Sequence, residues 1–237
     1  AFSFPSTETI FERLLEEDST TAITGEARTT GDRQNIIENF RGMSLDDLAG
    51  RPFQLRFPDV TTQDCPGGVF EGFNEQVLVP WKQYLLENDF EWDRCYALAR
   101  VSGPDTHTGY HMDRSNVLFW NVCGRKVFHG FADPDRWVPI EQSTDKRTSQ
   151  IMPENLVEGD LLSYEVGDDV LLWNHLQTPH WVDAPELTFG INFSHGGLRH
   201  KGQLCRYEQY LYDHSGKNPN EDWHPETSST AFHRTLQ

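Results

Sequence analysis

The sequence predicts a mainly β fold, a sandwich or barrel of short strands preceded by a helical N-terminal elaboration. Three observations carry that expectation. From about Tyr96 onward, short apolar or alternating runs are separated by turns containing Gly and Asp. Before that point, apolar residues recur at helical spacing instead. A length of 237 residues, with 36% hydrophobic and 12% aromatic content, is enough for one such unit with a real core.

In chain order, Pro5-Ser6-Thr7 followed by Ile10, Phe11, Leu14 and Leu15 predicts a first helix with one apolar face. A second short helix is expected over residues 34–40, and Ser44-Leu45-Asp46-Asp47 has the form of a capping box opening a third. Residues 61–68 are polar and turn-rich and read as a surface loop. Pro80-Trp81 with Tyr84 and Leu85 predicts a helix with proline at its first position. Residues 96–101 then read as a strand, 102–108 as a loop, and 110–113 as the start of the next strand. Residues 117–122 and 126–129 read as strands flanking Cys123-Gly124-Arg125, a glycine-containing hairpin connection. Further strands are expected at 161–165, 169–173 and 188–194, with turns at Gly159-Asp160 and Gly167-Asp168. Beyond Tyr212 the chain is polar and expected to be irregular. With no internal repeat and no low-complexity segment, one domain is expected. It would comprise a helical and mixed part over 1–95, a barrel core over 96–197 and a C-terminal extension over 198–237.

The formal charge is 20 − 37 = −17. Such a surface repels phosphate backbones and anionic membranes, so neither nucleic acid nor membrane is expected as a partner, while a basic polypeptide is not excluded. Cys65, Cys95, Cys123 and Cys205 are scattered, with no Cys-x-x-Cys spacing, and read as reduced, mostly buried thiols of a cytoplasmic protein. Residues 1–10 carry no basic stretch leading into an apolar one, so no secretory signal is expected, and a start at Ala1 reads as processing or trimming. No apolar run approaches the length of a membrane span.

His111-Met112-Asp113 is the chemically most informative segment. On an extended strand, residues two apart leave the same face, so His111 and Asp113 can grip one ion. Downstream, Gly167-Asp168-Asp169-Val170-Leu171-Leu172-Trp173 is a turn feeding an apolar strand. Thr178-Pro179-His180-Trp181-Val182 then delivers a histidine at the start of the next strand, which a barrel brings opposite the first pair. Two imidazoles and one carboxylate, with coordination positions left over, suit a non-haem Fe(II) oxygenase better than a structural zinc site. His175, five residues before His180, is the competing third ligand.

The pattern His111-Met112-Asp113, Gly124-Arg125-Lys126, Gly167 to Leu171, Pro179-His180 and Asn192-Phe193 resembles the JmjC/cupin-like Fe(II)- and 2-oxoglutarate-dependent oxygenases. Within them it is most similar to the branch typified by the asparaginyl hydroxylase that inhibits hypoxia-inducible factor. The resemblance spans roughly Tyr96 to Gly197 and implies a double-stranded β-helix, the jelly-roll or cupin barrel. It also implies that His111, Asp113 and His180 hold Fe(II), with His180 rather than His175 in register. Lys126 would pair with the distal carboxylate of the cosubstrate 2-oxoglutarate and Thr108 would donate its hydroxyl there. Asn192 would be an inward amide near the iron. Oxygen would be consumed, with release of succinate and CO2.

Apart from the resemblance, a dicarboxylate buried in a barrel needs a cation, and an ammonium offers charge with three donors. The competing reading of Lys126 is a solvated hairpin lysine beside Arg125. Asn121 shares a strand face with Phe119 and Val117 and is expected to point inward, where a bound carboxylate would give it a partner. Val117 stands where the branch has an amide, which puts the contacts to the 1-carboxylate in doubt, and Asn116 is the neighbour placed to compensate. His107 reads as an exposed loop residue, His129 and His195 as rim residues of the site, and His214, His224 and His233 as surface residues of the tail. Trp120, Trp137, Trp173 and Trp181 read as packing residues.

The function expected is hydroxylation of a small molecule, such as an amino-acid-derived metabolite, by a 2-oxoglutarate-dependent dioxygenase that could be a homodimer. The alternatives are a peptide or protein side-chain hydroxylase of the same type, a metal-dependent cupin enzyme that does not use 2-oxoglutarate, and a non-catalytic binding domain. No ligand is missing from the set, which argues against the last.

Overall fold

The computed structural model describes residues 2–17, 21–22, 36–48, 50–145 and 151–215. Helix α1 (Thr7–Glu16) begins where the sequence places it. The Ser6 hydroxyl accepts from the Thr9 N–H, and Ile10, Phe11, Leu14 and Leu15 are all buried. Residues 36–40 form α2, while Gln34 and Asn35 lie outside the described residues. Ser44 N–H donates to Asp47 Oδ2 at 2.8 Å and Asp47 N–H to Ser44 Oγ at 3.2 Å, so the capping box forms. It opens only a single 3-10 turn, Asp46–Leu48. Another 3-10 turn, Val60–Gln63, occupies part of the expected loop. Helix α3 (Val79–Glu87) carries Pro80 in its first turn and follows a π-helical stretch over Asn74–Leu78.

The strands are β1 (Thr21–Ala22), β2 (Gln54–Phe57), β3 (Phe90–Glu91), β4 (Arg94–Ser102), β5 (Thr106–Met112), β6 (Asn116–Cys123) and β7 (Lys126–Phe131). After the short helices α4 (Pro134–Trp137) and α5 (Ile140–Thr144) come β8 (Leu161–Val166), β9 (Val170–Asn174), β10 (Pro179–Ala184) and β11 (Thr188–Gly196). The short strands β12 (Arg199–His200) and β13 (Gln203–Leu204) and helix α6 (Arg206–Ser215) follow. The large sheet has the order β1-β2-β4-β11-β6-β9, the small sheet β5-β10-β7-β8, and β13-β12-β3 form a minor third sheet. Every pairing is antiparallel. Strands β4 to β11 are thus shared between two facing sheets, the arrangement of a double-stranded β-helix or jelly roll, mainly β with helices ahead of it.

Several expectations change. Cys123-Gly124-Arg125 is not a hairpin: β6 pairs with β11 and β9, whereas β7 pairs with β10 and β8, so the connection carries the chain from one sheet to the other. Gly124 makes this possible with φ +77°, and a Cβ there would fall 2.2 Å from the Leu187 carbonyl oxygen. The expected loop over 102–108 is only a turn, because Thr106, His107 and Thr108 already pair with Ala184, Asp183 and Val182 of β10. Residues 213–215 belong to α6 rather than to an irregular tail, and 216–237 lie outside the described residues. All four cysteines are free, but only Cys95 is buried and Cys65 is exposed. No helix among the described residues is long and apolar enough to cross a membrane.

Alternation along the strands decides where the core sits. On the large sheet, Leu55, Phe57, Ala97, Ala99, Val101, Phe189, Ile191 and Phe193 form one buried apolar cluster with Ile10, Phe11 and Leu14 of α1. Phe4 seals it, meeting Trp120 and Phe189 edge-on at centroid distances of 5.1 and 5.4 Å. The main core therefore lies between the large sheet and the N-terminal segments. The opposite phase of the same strands, including Gln54, Tyr96, Arg100, Ser102, Asn192 and Ser194, faces the space between the two sheets. Val117, Phe119 and Val166, with Phe128 and Leu172, make a smaller apolar cluster there.

Candidate metal centre and cleft

Strands β5 and β10 are neighbours in the small sheet, and their register sets His180 directly opposite His111. Asp113 follows the last residue of β5 and turns back onto the same ion-sized space. His111 Nε2 is 3.8 Å from Asp113 Oδ1, His180 Nε2 is 3.6 Å from Asp113 Oδ2, and the imidazole centroids are 4.2 Å apart. One ligand atom from each lies within 4.8 Å of the others, and this is the only such group among the described residues.

The histidines are oriented by their other ring nitrogens. His111 Nδ1 donates to the Gly109 carbonyl at 2.8 Å and His180 Nδ1 to the Thr178 carbonyl at 2.9 Å, which leaves both Nε2 lone pairs directed at the shared space. Asn174 Nδ2 donates to Asp113 Oδ2 at 3.3 Å. Burial acts to raise the Asp113 pKa, but His180, His111 and Arg100 together with the Asn174 hydrogen bond outweigh it and hold the carboxylate below its ordinary value. The His111 pKa is lowered, first by burial and then by His180. Two imidazole Nε2 atoms facing a carboxylate that is held ionised make the donor set a divalent cation requires.

The centre opens into a cleft between the sheets. Thr108, Phe119, Lys126 and Asn192 line it together with His111, Asp113 and His180. Lys126 is 4% exposed, its Nζ lies 5.1 Å from the centre of the Phe119 ring, and no carboxylate of the described residues pairs with it. Burial, reinforced by Arg100, pulls its pKa down to about 7. Asn192 Oδ1 is buried and has no hydrogen-bond partner among the described residues.

Other sequence-selected residues lie elsewhere. Asn121 faces inward as expected, but its amide donates to the backbone carbonyls of Gly124, Val166 and Gly167, and it stays out of the cleft. Asn116 Oδ1 accepts from the Leu176 N–H, so it does not compensate for Val117, which itself lines the cleft. His175 accepts from Trp173 Nε1 at 3.3 Å and lies outside the ligand cluster. His195 is no rim residue. It is fully buried, accepts from Trp81 Nε1 at 2.8 Å, and burial takes its pKa down to about 4. His129 and His107 both bond Asp183 on the outer face of the small sheet, and His129 stacks on Trp181.

Gln54, Arg100, Phe128 and Asn174 also line the cleft, and the sequence reading missed them. For Arg100 the signal was present. In Arg94–Ser102 it falls on the same phase as Tyr96 and Leu98, opposite to Ala97, Ala99 and Val101, so a charged residue sits on an inward phase.

No known family model matches the chain, and no curated protein matches it in sequence. Solved structures do. The ribosomal oxygenase YcfD of Escherichia coli aligns with 95% of this chain at 14% identity and a TM-score of 0.50. The fold of the present chain is similar to that of this protein, a double-stranded β-helix. The alignment covers 54% of the YcfD chain, so the present chain spans about half of that protein's length. A cupin superfamily protein from Desulfitobacterium hafniense aligns with 45% of the chain and 71% of its own at 8% identity and a TM-score of 0.30. Hydroquinone 1,2-dioxygenase from Sphingomonas sp. TTNP3 aligns with 45% of the chain and 62% of its own at 9% identity and a TM-score of 0.32.

Proposed function

We propose that the chain is an Fe(II)- and 2-oxoglutarate-dependent oxygenase that hydroxylates a small molecule, with an amino-acid-derived metabolite as the leading class. The observation that carries this reading is a buried ammonium, Lys126, with no carboxylate partner, in the same cleft as a His-Asp-His cluster. A barrel using its metal alone has no need of that cation, whereas a 2-oxo dicarboxylate has one acid group for the metal and another for an ammonium. Iron with 2-oxoglutarate and O2 supplies the oxidising power, yielding succinate, CO2 and one oxygen atom for the substrate.

The protein's own part is placement. His111, Asp113 and His180 would hold the ion, with the two Nδ1–H groups locked on backbone carbonyls so that the rings cannot rotate away. Lys126 would take the distal carboxylate, with the Thr108 hydroxyl beside it. Phe119, Phe128 and Val182 form apolar walls that exclude water along the ligand's methylene carbons. Asn192, with an unpaired buried carbonyl oxygen, would accept from a bound hydroxyl or water.

Anaerobic titration of the protein with Fe(II) and then 2-oxoglutarate is the test, read as the weak visible charge-transfer band of the chelate. A panel of amino acids, metabolites and basic peptides, scored by succinate release and product mass, then identifies the substrate. Oxygen uptake that proceeds unchanged without 2-oxoglutarate would replace this reading by a cupin enzyme that uses its metal alone. Turnover of peptides with failure of every free metabolite would reassign the substrate class.

A further inference from the structure

The cleft holds more positive charge than one ammonium. Arg100 projects into it from β4, opposite Gly190 of β11 on one side and Arg56 of β2 on the other. Directly opposed like charges on neighbouring strands repel, and Arg56 is one cause of the lowering of the Arg100 pKa to about 10, after burial. Arg100 also contributes to the depression at Lys126. Among the described residues that line the cleft a single carboxylate stands against these cations, Asp113, which faces the histidines and also offsets part of the Arg100 charge.

The hydrogen bonding of Arg100 is correspondingly incomplete. Its Nη1 donates to Gln54 Oε1 at 3.5 Å, and its Nε is buried with no partner among the described residues. Gln54 in turn donates from Nε2 to Thr108 Oγ1 at 3.4 Å and to Ser102 Oγ at 3.3 Å, which fixes the direction of its carbonyl. A guanidinium held on one side by an amide, and lacking a partner at Nε, has its planar fork available for a carboxylate.

We propose that Arg100 and Lys126 together clamp the carboxylate of a 2-oxo dicarboxylate that lies remote from the metal, with Gln54 orienting Arg100. The inference rests on the function proposed above and adds the residue that makes the site selective for a diacid. Arg100 is the permanent cation of the pair, and Lys126 contributes a second point of charge from the opposite sheet. The electrostatic cost of crowding these cations in the empty cleft becomes favourable interaction once the anion is bound.

The experiment compares the wild-type, Arg100→Gln, Arg100→Lys and Lys126→Gln proteins, each loaded with Mn(II) under anaerobic conditions and each checked by thermal melting. Calorimetric titration with 2-oxoglutarate and with the monoacid 2-oxobutanoate reads diacid selectivity directly. Arg100→Gln should weaken 2-oxoglutarate about tenfold or more while leaving 2-oxobutanoate nearly unchanged. Arg100→Lys, which keeps the charge and loses the fork, should fall between. If Arg100→Gln folds and binds 2-oxoglutarate as the wild type does while Lys126→Gln does not, the clamp is wrong and the oxygenase reading survives. Equal loss of both ligands in the Arg100 variants would also overturn the clamp, because it would place Arg100 at the metal-proximal group. A wild-type protein with no preference for the diacid would remove the oxygenase reading and this inference with it.

Discussion

The two faces of the large sheet are built from the same strands and differ in almost everything else. On the outer face, Phe57, Ala97, Val101, Phe189 and Ile191 pack against α1 and the aromatic N-terminal segment, each nearly or fully inaccessible. On the inner face, one residue along each strand, stand Gln54, Arg100, Ser102 and Asn192, and the small sheet across from them contributes Thr108, Lys126 and the two histidines. A barrel can fill its interior with branched apolar side chains. This one moves most of its apolar core outside and leaves the interior polar and incompletely satisfied. Stability and chemistry are thereby assigned to opposite phases of one alternating pattern. The two can be perturbed separately.

The largest effects should separate the faces cleanly. Phe189→Ala removes a ring that is 1% exposed, and core truncations of this kind cost about 3–5 kcal/mol. Urea unfolding should show that loss while metal affinity of the folded fraction stays as in the wild type. Asp113→Ala or His180→Ala should do the reverse, abolishing Fe(II) binding and turnover with a melting temperature close to wild type. His175→Ala should retain both. Metal content by mass spectrometry after reconstitution, read beside the melting curves, checks all of these. Metal bound by His180→Ala but lost by His175→Ala would show that the wrong histidine has been assigned.

Lys126 is where the faces should diverge in sign. Its pKa is about 7 in the folded protein, against 10.5 for an ordinary lysine, so between those values the unfolded chain binds more protons than the folded one. Stability of the ligand-free protein should therefore rise with pH across that window, and the cost of burying the ammonium is fully present below it. Lys126→Met should be at least as stable as the wild type near neutral pH and should lack that rise, as read by the difference between their urea midpoints at several pH values. The same substitution should weaken 2-oxoglutarate binding about tenfold or more, since a charge-assisted partner is gone. A stability profile parallel to the wild type would mean that Lys126 reaches solvent and that the interior is wetter than described.

How much of this was legible beforehand follows the same division. His111 and Asp113 could be paired from their two-residue spacing, although Asp113 falls just past the end of the strand that carries His111. His180 could be placed by the turn and proline ahead of it. The capping Ser6 and the Ile10-Phe11-Leu14-Leu15 face are likewise local patterns. What escaped was long-range pairing. Nothing between Val122 and Lys126 states that the two strands join different sheets, and Asn121 could not be assigned to three backbone carbonyls until the β8–β9 turn was in place. Arg100 escaped because an inward arginine contradicts the expectation of an apolar barrel interior. The partition between the faces makes it intelligible.

Gly190 sharpens the comparison, since the lack of a side chain there makes room for the Phe119 ring on the inner face. A Cβ built there would lie 2.5 Å from Phe119 Cε2, 2.8 Å from Cζ and 3.0 Å from the Trp120 carbonyl oxygen. Phe119 has limited room to yield, because its ring packs on Phe128 at 5.2 Å and lies under Lys126 Nζ at 5.1 Å. Gly190→Ala should therefore press the ring into the cleft. Overpacking of this kind costs about 1–3 kcal/mol, less than the loss at Phe189, and here it should be accompanied by a few-fold loss of 2-oxoglutarate affinity. The aromatic resonances of Phe119 should shift while those of Phe4 and Phe11, across the sheet, stay in place. If stability falls with ligand affinity and the Phe119 resonances unchanged, the strain has passed through the backbone to the outer core, and the two faces are less independent than their side chains indicate.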